Sequence, residues 1–157
     1  SVVTAGNAST LNDGASAIIV ASERAIKKYG LTPRARIIDG ASAGLAAEIM
    51  GMGPVPSSRK VLERSGINVS DLAAVELNEA FASQSLASMR ELGINPDTVN
   101  NDGGAIALGH PLGSSGSRIA ITLLGRLERE AGSGRKLGLA TMCVGVGQGS
   151  ALLLEGV

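Results

Sequence analysis

Two apolar runs near the C-terminus, residues 137–143 and 150–154, are separated only by Val144-Gly145-Val146-Gly147-Gln148-Gly149. Six residues cannot make the crossover of a dozen or more that joins parallel neighbours, so the two runs must pair as antiparallel strands. Upstream, apolar runs alternate with helix-length segments, the pattern of a layered α/β domain. A mixed sheet is therefore expected, with an antiparallel pair at its C-terminal end.

In chain order, Asn12-Asp13-Gly14 is a turn signal, and the run 15–21, apolar but for Ser16, fits a central strand buried on both faces. Ser22 can cap a helix that runs to Tyr29 and stops at Gly30, and 35–39 reads as the next strand, giving a βαβ unit. Gly51-Met52-Gly53-Pro54-Val55-Pro56 is a rigid connection, after which Ser57 or Ser58 opens a helix that ends before Gly66. A strand at 73–77 follows. The helix expected at about 80–92 carries Ala80, Ala82, Ser83, Ser85, Ala87 and Ser88 on nearly every face, so close packing on all sides is expected, with Gly93 closing it. A further helix over 117–130 presents Ile119, Ala120, Leu123, Leu124 and Leu127 as an apolar stripe, and 131–134 reads as a flexible surface turn. Together these elements predict one α/β domain over 1–157, with a mixed sheet of about five strands, helices on both faces and right-handed crossovers.

Composition narrows the possible functions. Lys and Arg are scattered and balance the acidic residues to a formal net charge of zero, so there is no electrostatic footprint for nucleic acid or an anionic membrane. One Phe and one Tyr leave almost nothing on which bases could stack. No apolar run approaches the roughly 20 residues needed to span a bilayer, and the N-terminus has no signal-like pattern, which fits a cytosolic or organelle-matrix setting. The single cysteine excludes an internal disulfide, and one Cys with one His cannot supply an ordinary structural zinc site. No metal and no resident cofactor are expected. The chain opens Ser1-Val2-Val3 without an initiator methionine and is expected to be processed, cloned or cut from something longer.

The stretch most suited to chemistry is 100–116, a glycine-dense segment with the sole histidine, His110, at its centre. Glycines let backbone approach a ligand closely, and Pro111 fixes the chain just after the imidazole. Ser114 and Ser115 then lead into a helix whose N-terminus suits developing negative charge. Taken alone, His110 reads as readily as a packing or capping residue. The glycine pattern fits neither common nucleotide loop: Pro111 occupies the second glycine of G-x-G-x-x-G, and G-x-x-x-x-G-K-[ST] lacks its lysine.

Three stretches fall just after strand ends or at a helix start, where ligand sites in α/β sheets gather: Asn78-Glu79-Ala80-Phe81, Gly109-His110-Pro111 and Cys143-Val144-Gly145. Individually, Asn78 reads equally as a helix cap, Cys143 as a buried inert thiol, Phe81 as core and Ser9 as an ordinary loop serine. As an ordered set the three segments resemble the C-terminal half of the thiolases, and the resemblance extends to Thr4-Ala5-Gly6-Asn7-Ala8-Ser9 and Gly53-Pro54-Val55-Pro56. It implies a thiolase-like C-terminal domain in an acyltransferase that makes or breaks the carbon–carbon bond of a 3-ketoacyl-CoA. By that resemblance Cys143 is the base that takes the α-proton and the acid that returns it, which requires a pKa near ambient pH. His110 donates to the thioester oxygen, Asn78 positions a water in the same oxyanion hole, and the Gly145 N–H stabilises the tetrahedral intermediate. Ala80 and Phe81 line the acyl pocket and Ser9 lies near the CoA arm, with coenzyme A as substrate rather than cofactor.

The nucleophile of that family is a second cysteine, absent here, so the resemblance places it in an N-terminal half along with most of the CoA-binding region. This chain alone is expected to be half an active site, and the family's dimers and tetramers form chiefly through the other half. The sequence departs from the family pattern at Asp102, where relatives usually carry Asn, and at Val146, where a third glycine is common. Two other readings stand beside this one: a folded but inactive assembly half, and a related condensing enzyme of the ketoacyl synthase type.

Overall fold

The computed structural model describes residues 2–129 and 136–157. Its sheet has four strands, β1 (Ala35–Gly44), β2 (Leu72–Leu77), β3 (Leu137–Val144) and β4 (Gln148–Gly156), in the order β1-β4-β3-β2. β3 and β4 form the expected antiparallel pair, with Cys143 opposite Gly149 and Val144 opposite Gln148. The strands reach further than their apolar runs suggest, so the turn shrinks to residues 145–147. β1 adds antiparallel to the far edge of β4, and β2 pairs parallel with β3.

Helices cover both faces. Alternate strand residues Val75, Leu139 and Leu153 pack with Val61 and Leu62 of α2 (Pro54–Ser65) and Leu92 of α3 (Ala82–Leu92). Their neighbours Ala74, Ala140 and Leu154 pack on the other face with Ile119, Leu123 and Leu127 of α5 (Leu112–Arg129). The period-two alternation of the strands thus feeds two cores rather than one. The remaining α-helices among the described residues are α1 (Glu23–Tyr29), capped by the Ser22 hydroxyl and ended by left-handed Gly30 as the sequence suggests, and the single turn α4 (Ala105–Leu108).

One buried ion pair fastens the β2-to-β3 crossover. Arg126 of α5, 2% exposed at its side chain, donates to Glu76 Oε1 at 2.9 Å, the Val75 carbonyl at 3.0 Å and the Thr98 carbonyl at 2.9 Å. One guanidinium so joins the helix, the strand and the turn at Pro96–Thr98. Burial pushes the Glu76 carboxyl above its usual value, outweighing the pull of Arg126.

The structure corrects several sequence expectations. The run 15–21 is no strand: it has no regular secondary structure and no ladder partner among the described residues, and Ile18, Ile19 and Val20 are 41%, 87% and 73% exposed. An apolar run specifies a wish for burial but not the neighbour that supplies it, and within this chain the sheet's edges belong to β1 and β2. Among the described residues the sheet accordingly has four strands, not five, and there is no βαβ unit around α1, since β1 pairs only antiparallel to β4. α2 begins at Pro54 rather than Ser57 or Ser58, because proline at the first helical position loses no needed N–H; the Ser57 hydroxyl instead bonds back to the Gly53 carbonyl at 2.9 Å. α5 begins at Leu112 rather than 117, with the Ser114 and Ser115 amides already bonded to the Pro111 carbonyl. α3 buries one face, Gln84, Ser85, Ser88 and Leu92, while Leu86 is exposed, so small residues there do not mean burial all round. The turn expected at 131–134 lies outside the described residues.

Among the described glycines the least room for a side chain is between Gly53, just before α2, and Gly149 of β4. A Cβ on Gly149 would overlap the Gly53 carbonyl, and a Cβ on Gly53 would overlap the Gln148 carbonyl. Backbone on both sides leaves no flexible group to yield. Gly149→Ala is therefore expected to cost about 3 kcal/mol or more of stability, measured by urea unfolding, whereas Gly30→Ala, with open space around it but a left-handed φ, should cost about 1 kcal/mol.

Candidate active site

Parallel pairing carries β2 and β3 to the same end of the sheet, so the residues that follow them emerge together. Asn78, directly after β2, donates its backbone N–H to the Thr141 carbonyl of β3 at 3.0 Å, two residues before Cys143. Its side chain is buried, with the residue 1% exposed, and Oδ1 has no hydrogen-bond partner among the described residues. A buried carbonyl oxygen without a partner costs roughly 1–3 kcal/mol, so this one is held by its surroundings rather than by its own bonding.

Two residues that sequence reasoning did not single out hold this corner. Asn100 extends the β2 ladder with its side chain: Oδ1 accepts from the Leu77 N–H at 2.9 Å and Nδ2 donates to the Leu77 carbonyl at 2.7 Å. Nδ2 also donates to Glu79 at 3.0 Å, and the Glu79 carboxylate accepts the Ile106 N–H at 3.1 Å. Glu79 thereby ties the segment after β2 to the glycine-rich loop, and it fills the place a Cβ on Gly104 would take. The signal was present in the sequence, since Glu79 lies inside one motif and Asn100 opens another. Its meaning needed the contact.

The N-terminal strip joins the second motif to the first. Ala8 bridges Phe81, Leu11 bridges His110, and Ser9 donates from both its N–H (3.0 Å) and its hydroxyl (3.4 Å) to the Ala80 carbonyl. Three residues of extended chain separate the two bridges, about 10 Å, so Phe81 and His110 flank one short strip. Ser9, Ala80 and Phe81 are thus one contact cluster, and Phe81, at 36% exposed, is not core. The backbone of His110 is fixed by donation to the Thr10 carbonyl (3.1 Å) and to Asn12 Oδ1 (3.0 Å), and its Nδ1 lies 2.6 Å from Ser115 Oγ. Burial, and then the Arg118 guanidinium, hold the imidazole pKa below its ordinary value, so the ring is neutral at pH 7. Asp102 takes no part: its carboxylate turns outward to pair with Arg129.

Cys143 is the next-to-last residue of β3 and is 6% exposed. Burial pushes its thiol above the ordinary value, so within this chain it is a protonated thiol at neutral pH. Gly145 follows in the hairpin turn; a Cβ there would meet nothing within 4 Å, so packing inside the chain does not demand glycine. Val146 sits at φ 67°, a left-handed conformation that is costly for a β-branched residue, with its side chain 87% exposed. Among the described residues no hydrogen bond joins the side chains of Asn78, His110 and Cys143, and no group of three or more His, Cys, Asp or Glu could hold a metal ion. The raised thiol can be checked directly. Alkylation of Cys143 by iodoacetamide is expected to be slow at pH 7 and to rise with a midpoint above that of free cysteine, and a midpoint at or below it would contradict the burial argument.

The chain is similar in sequence and in fold to known proteins. Residues 31–156 match the family model described as thiolase, C-terminal domain. The chain is 62% identical over 157 residues to a β-ketoadipyl-CoA thiolase of Pseudomonas putida, covering 99% of this chain and 38% of the relative. It is 55% identical over 153 residues to an acetyl-CoA acetyltransferase of Paracoccus denitrificans, with 98% and 38% covered. The crystal structure of human mitochondrial 3-ketoacyl-CoA thiolase in complex with CoA superposes with a TM-score of 0.94 at 48% identity, over 99% of this chain and 39% of that one. The chain therefore spans about two fifths of the length of these relatives, and it is by sequence and by fold a member of the thiolase family, corresponding to the family's C-terminal domain.

Proposed function

We propose that this chain is the C-terminal catalytic half of a longer acyltransferase that makes or cleaves the carbon–carbon bond of a 3-ketoacyl-CoA. What supports the reading most is the shared exit of Asn78 and Cys143 from parallel strands, with a buried, unpartnered Asn78 Oδ1 at that exit. A carbonyl oxygen so placed can accept from a water, and that water's second proton can then point at a thioester oxygen. His110, neutral and fixed at its backbone, is the other donor to that oxygen, and the Gly145 N–H serves the tetrahedral intermediate. In cleavage the Cys143 thiol hands its proton to the α-carbon as acetyl-CoA leaves, and in condensation its thiolate takes that proton back. The buried, protonated thiol of this chain suits the first role as it stands.

Ser9, Ala80 and Phe81 contact the substrate: Ser9 beside the CoA arm, the other two along the acyl chain. Coenzyme A is a substrate, and a CoA complex of a structural relative is consistent with that. The relatives' names differ in acyl group, so the substrate class is 3-ketoacyl-CoA as such. The acyl group itself is carried by a cysteine of an N-terminal half, because the single Cys143 is committed to proton transfer. The exposed apolar residues Ile18, Ile19 and Val20 fit burial against that half, and the complete protein is a homo-oligomer assembled through it.

The isolated chain is expected to show no turnover of acetoacetyl-CoA with CoA; measurable thiolysis would sink the idea that the acyl acceptor lies elsewhere. In the full-length protein, His110→Ala and Asn78→Ala should each lower kcat by roughly 10²–10³ with a smaller change in KM, since both act on charge that develops during reaction. A pure KM effect would move them to ground-state binding. Cys143→Ala should still take a covalent acyl label from acyl-CoA, while exchange of the acetyl-CoA α-protons with deuterated solvent falls by roughly 10²–10⁴. Undiminished exchange would mean that another residue is the base.

A further inference from the structure

We infer that Ser115 is a positioning residue that fixes the tautomer of His110, so that the ring presents an N–H at Nε2. The inference rests on the proposed role of His110 as a donor. Ser115 is fully buried, and among the described residues its Oγ has two hydrogen-bonding neighbours: His110 Nδ1 at 2.6 Å and the Pro111 carbonyl at 3.1 Å. A serine has one hydroxyl proton, so it can donate to only one of them.

The choice between them decides which ring nitrogen of a neutral imidazole carries the proton. If the hydroxyl donates to the Pro111 carbonyl, its oxygen must accept from Nδ1–H, and Nε2 becomes a bare acceptor. If the hydroxyl donates to Nδ1, the proton is on Nε2 and the outer face of the ring is a donor. One observation selects the second arrangement. The Pro111 carbonyl already accepts two backbone N–H groups, from Ser114 at 2.8 Å and Ser115 at 2.9 Å, which occupy both of its lone pairs. Burial and the Arg118 charge keep the ring from holding a second proton, so the tautomer, rather than the charge, is what remains to be set.

The start of α5 makes this possible. Because the helix begins at Leu112, Ser115 stands in its first turn, where the i−4 carbonyl is satisfied by backbone amides and the hydroxyl is free to turn to the histidine five residues before it. Ser114 makes a different set of bonds, to Ser16 Oγ at 2.6 Å, and does not compete for the ring.

The test uses the full-length enzyme with ¹⁵N-labelled histidine. Long-range proton–nitrogen spectra distinguish a protonated from a bare ring nitrogen, and His110→Asn identifies the His110 signals by their loss. Wild type is expected to show Nε2 protonated and Nδ1 bare. Ser115→Ala should show a mixture of tautomers and lower kcat roughly tenfold with KM nearly unchanged, the size of one lost hydrogen bond and well short of deleting the donor outright. Ser115→Thr, which keeps the hydroxyl, should restore both the Nε2–H signature and most of kcat. Protonated Nδ1 in wild type would overturn the inference even if no variant folds, as would a Ser115→Ala enzyme with unchanged tautomer, whether or not kcat falls. Failure of the donor role itself reads differently: His110→Ala would then keep full kcat while the wild-type spectrum still reported Nε2–H.

Discussion

The parallel pairing of β2 with β3 is the constraint on which the rest of this structure depends. It sends both strands out of the sheet at one end and brings the segment after Leu77 within one backbone hydrogen bond of Thr141. It also requires a long connection, and that connection, from α3 through the glycine-rich loop to α5, carries both His110 and the helix that covers one face. The buried Arg126–Glu76 pair locks the connection down. Such a pair adds little stability over apolar packing, but loss of one partner strands a charge in the interior, at about 3–5 kcal/mol, and so fixes the position of α5 on β2.

The corner where the candidate residues meet is built from side chains that imitate backbone. Asn100 supplies the two hydrogen bonds that another strand would have given to Leu77, and Glu79 receives an amide of the loop it faces. Ser9 and the strip from Ala8 to Leu11 add two further bridges. Side-chain amides and carboxylates can end a sheet in this way without continuing it, which leaves the polar groups beyond the strand ends free for other work.

Burial acts on the two titratable groups of the site in the same sense. It lowers the imidazole of His110 and raises the thiol of Cys143, in each case favouring the uncharged form. A neutral imidazole donates a hydrogen bond without giving up a proton, and a protonated thiol is ready to give one up. The proposed division of labour, polarisation by His110 and proton transfer by Cys143, follows from that difference.

Much of this was legible in the sequence, and the limits are instructive. Local rules sufficed for α1, where Ser22 and Gly30 act as caps whatever surrounds them, and for the antiparallel pair at the C-terminus, where six residues leave no other topology. The ordered motifs around Asn78, His110 and Cys143 indicated the family. The sequence could not say that 15–21 lacks a ladder partner, because strand propensity belongs to one segment and pairing belongs to two. Nor could it assign Glu79, Asn100 and Ser115, whose meaning lies in a partner 21, 23 or 5 residues away and in which lone pairs that partner has left. Only the tertiary structure decided those points, since hydrogen-bond capacity and dielectric surroundings are shared among neighbours in space and are not written at any one position.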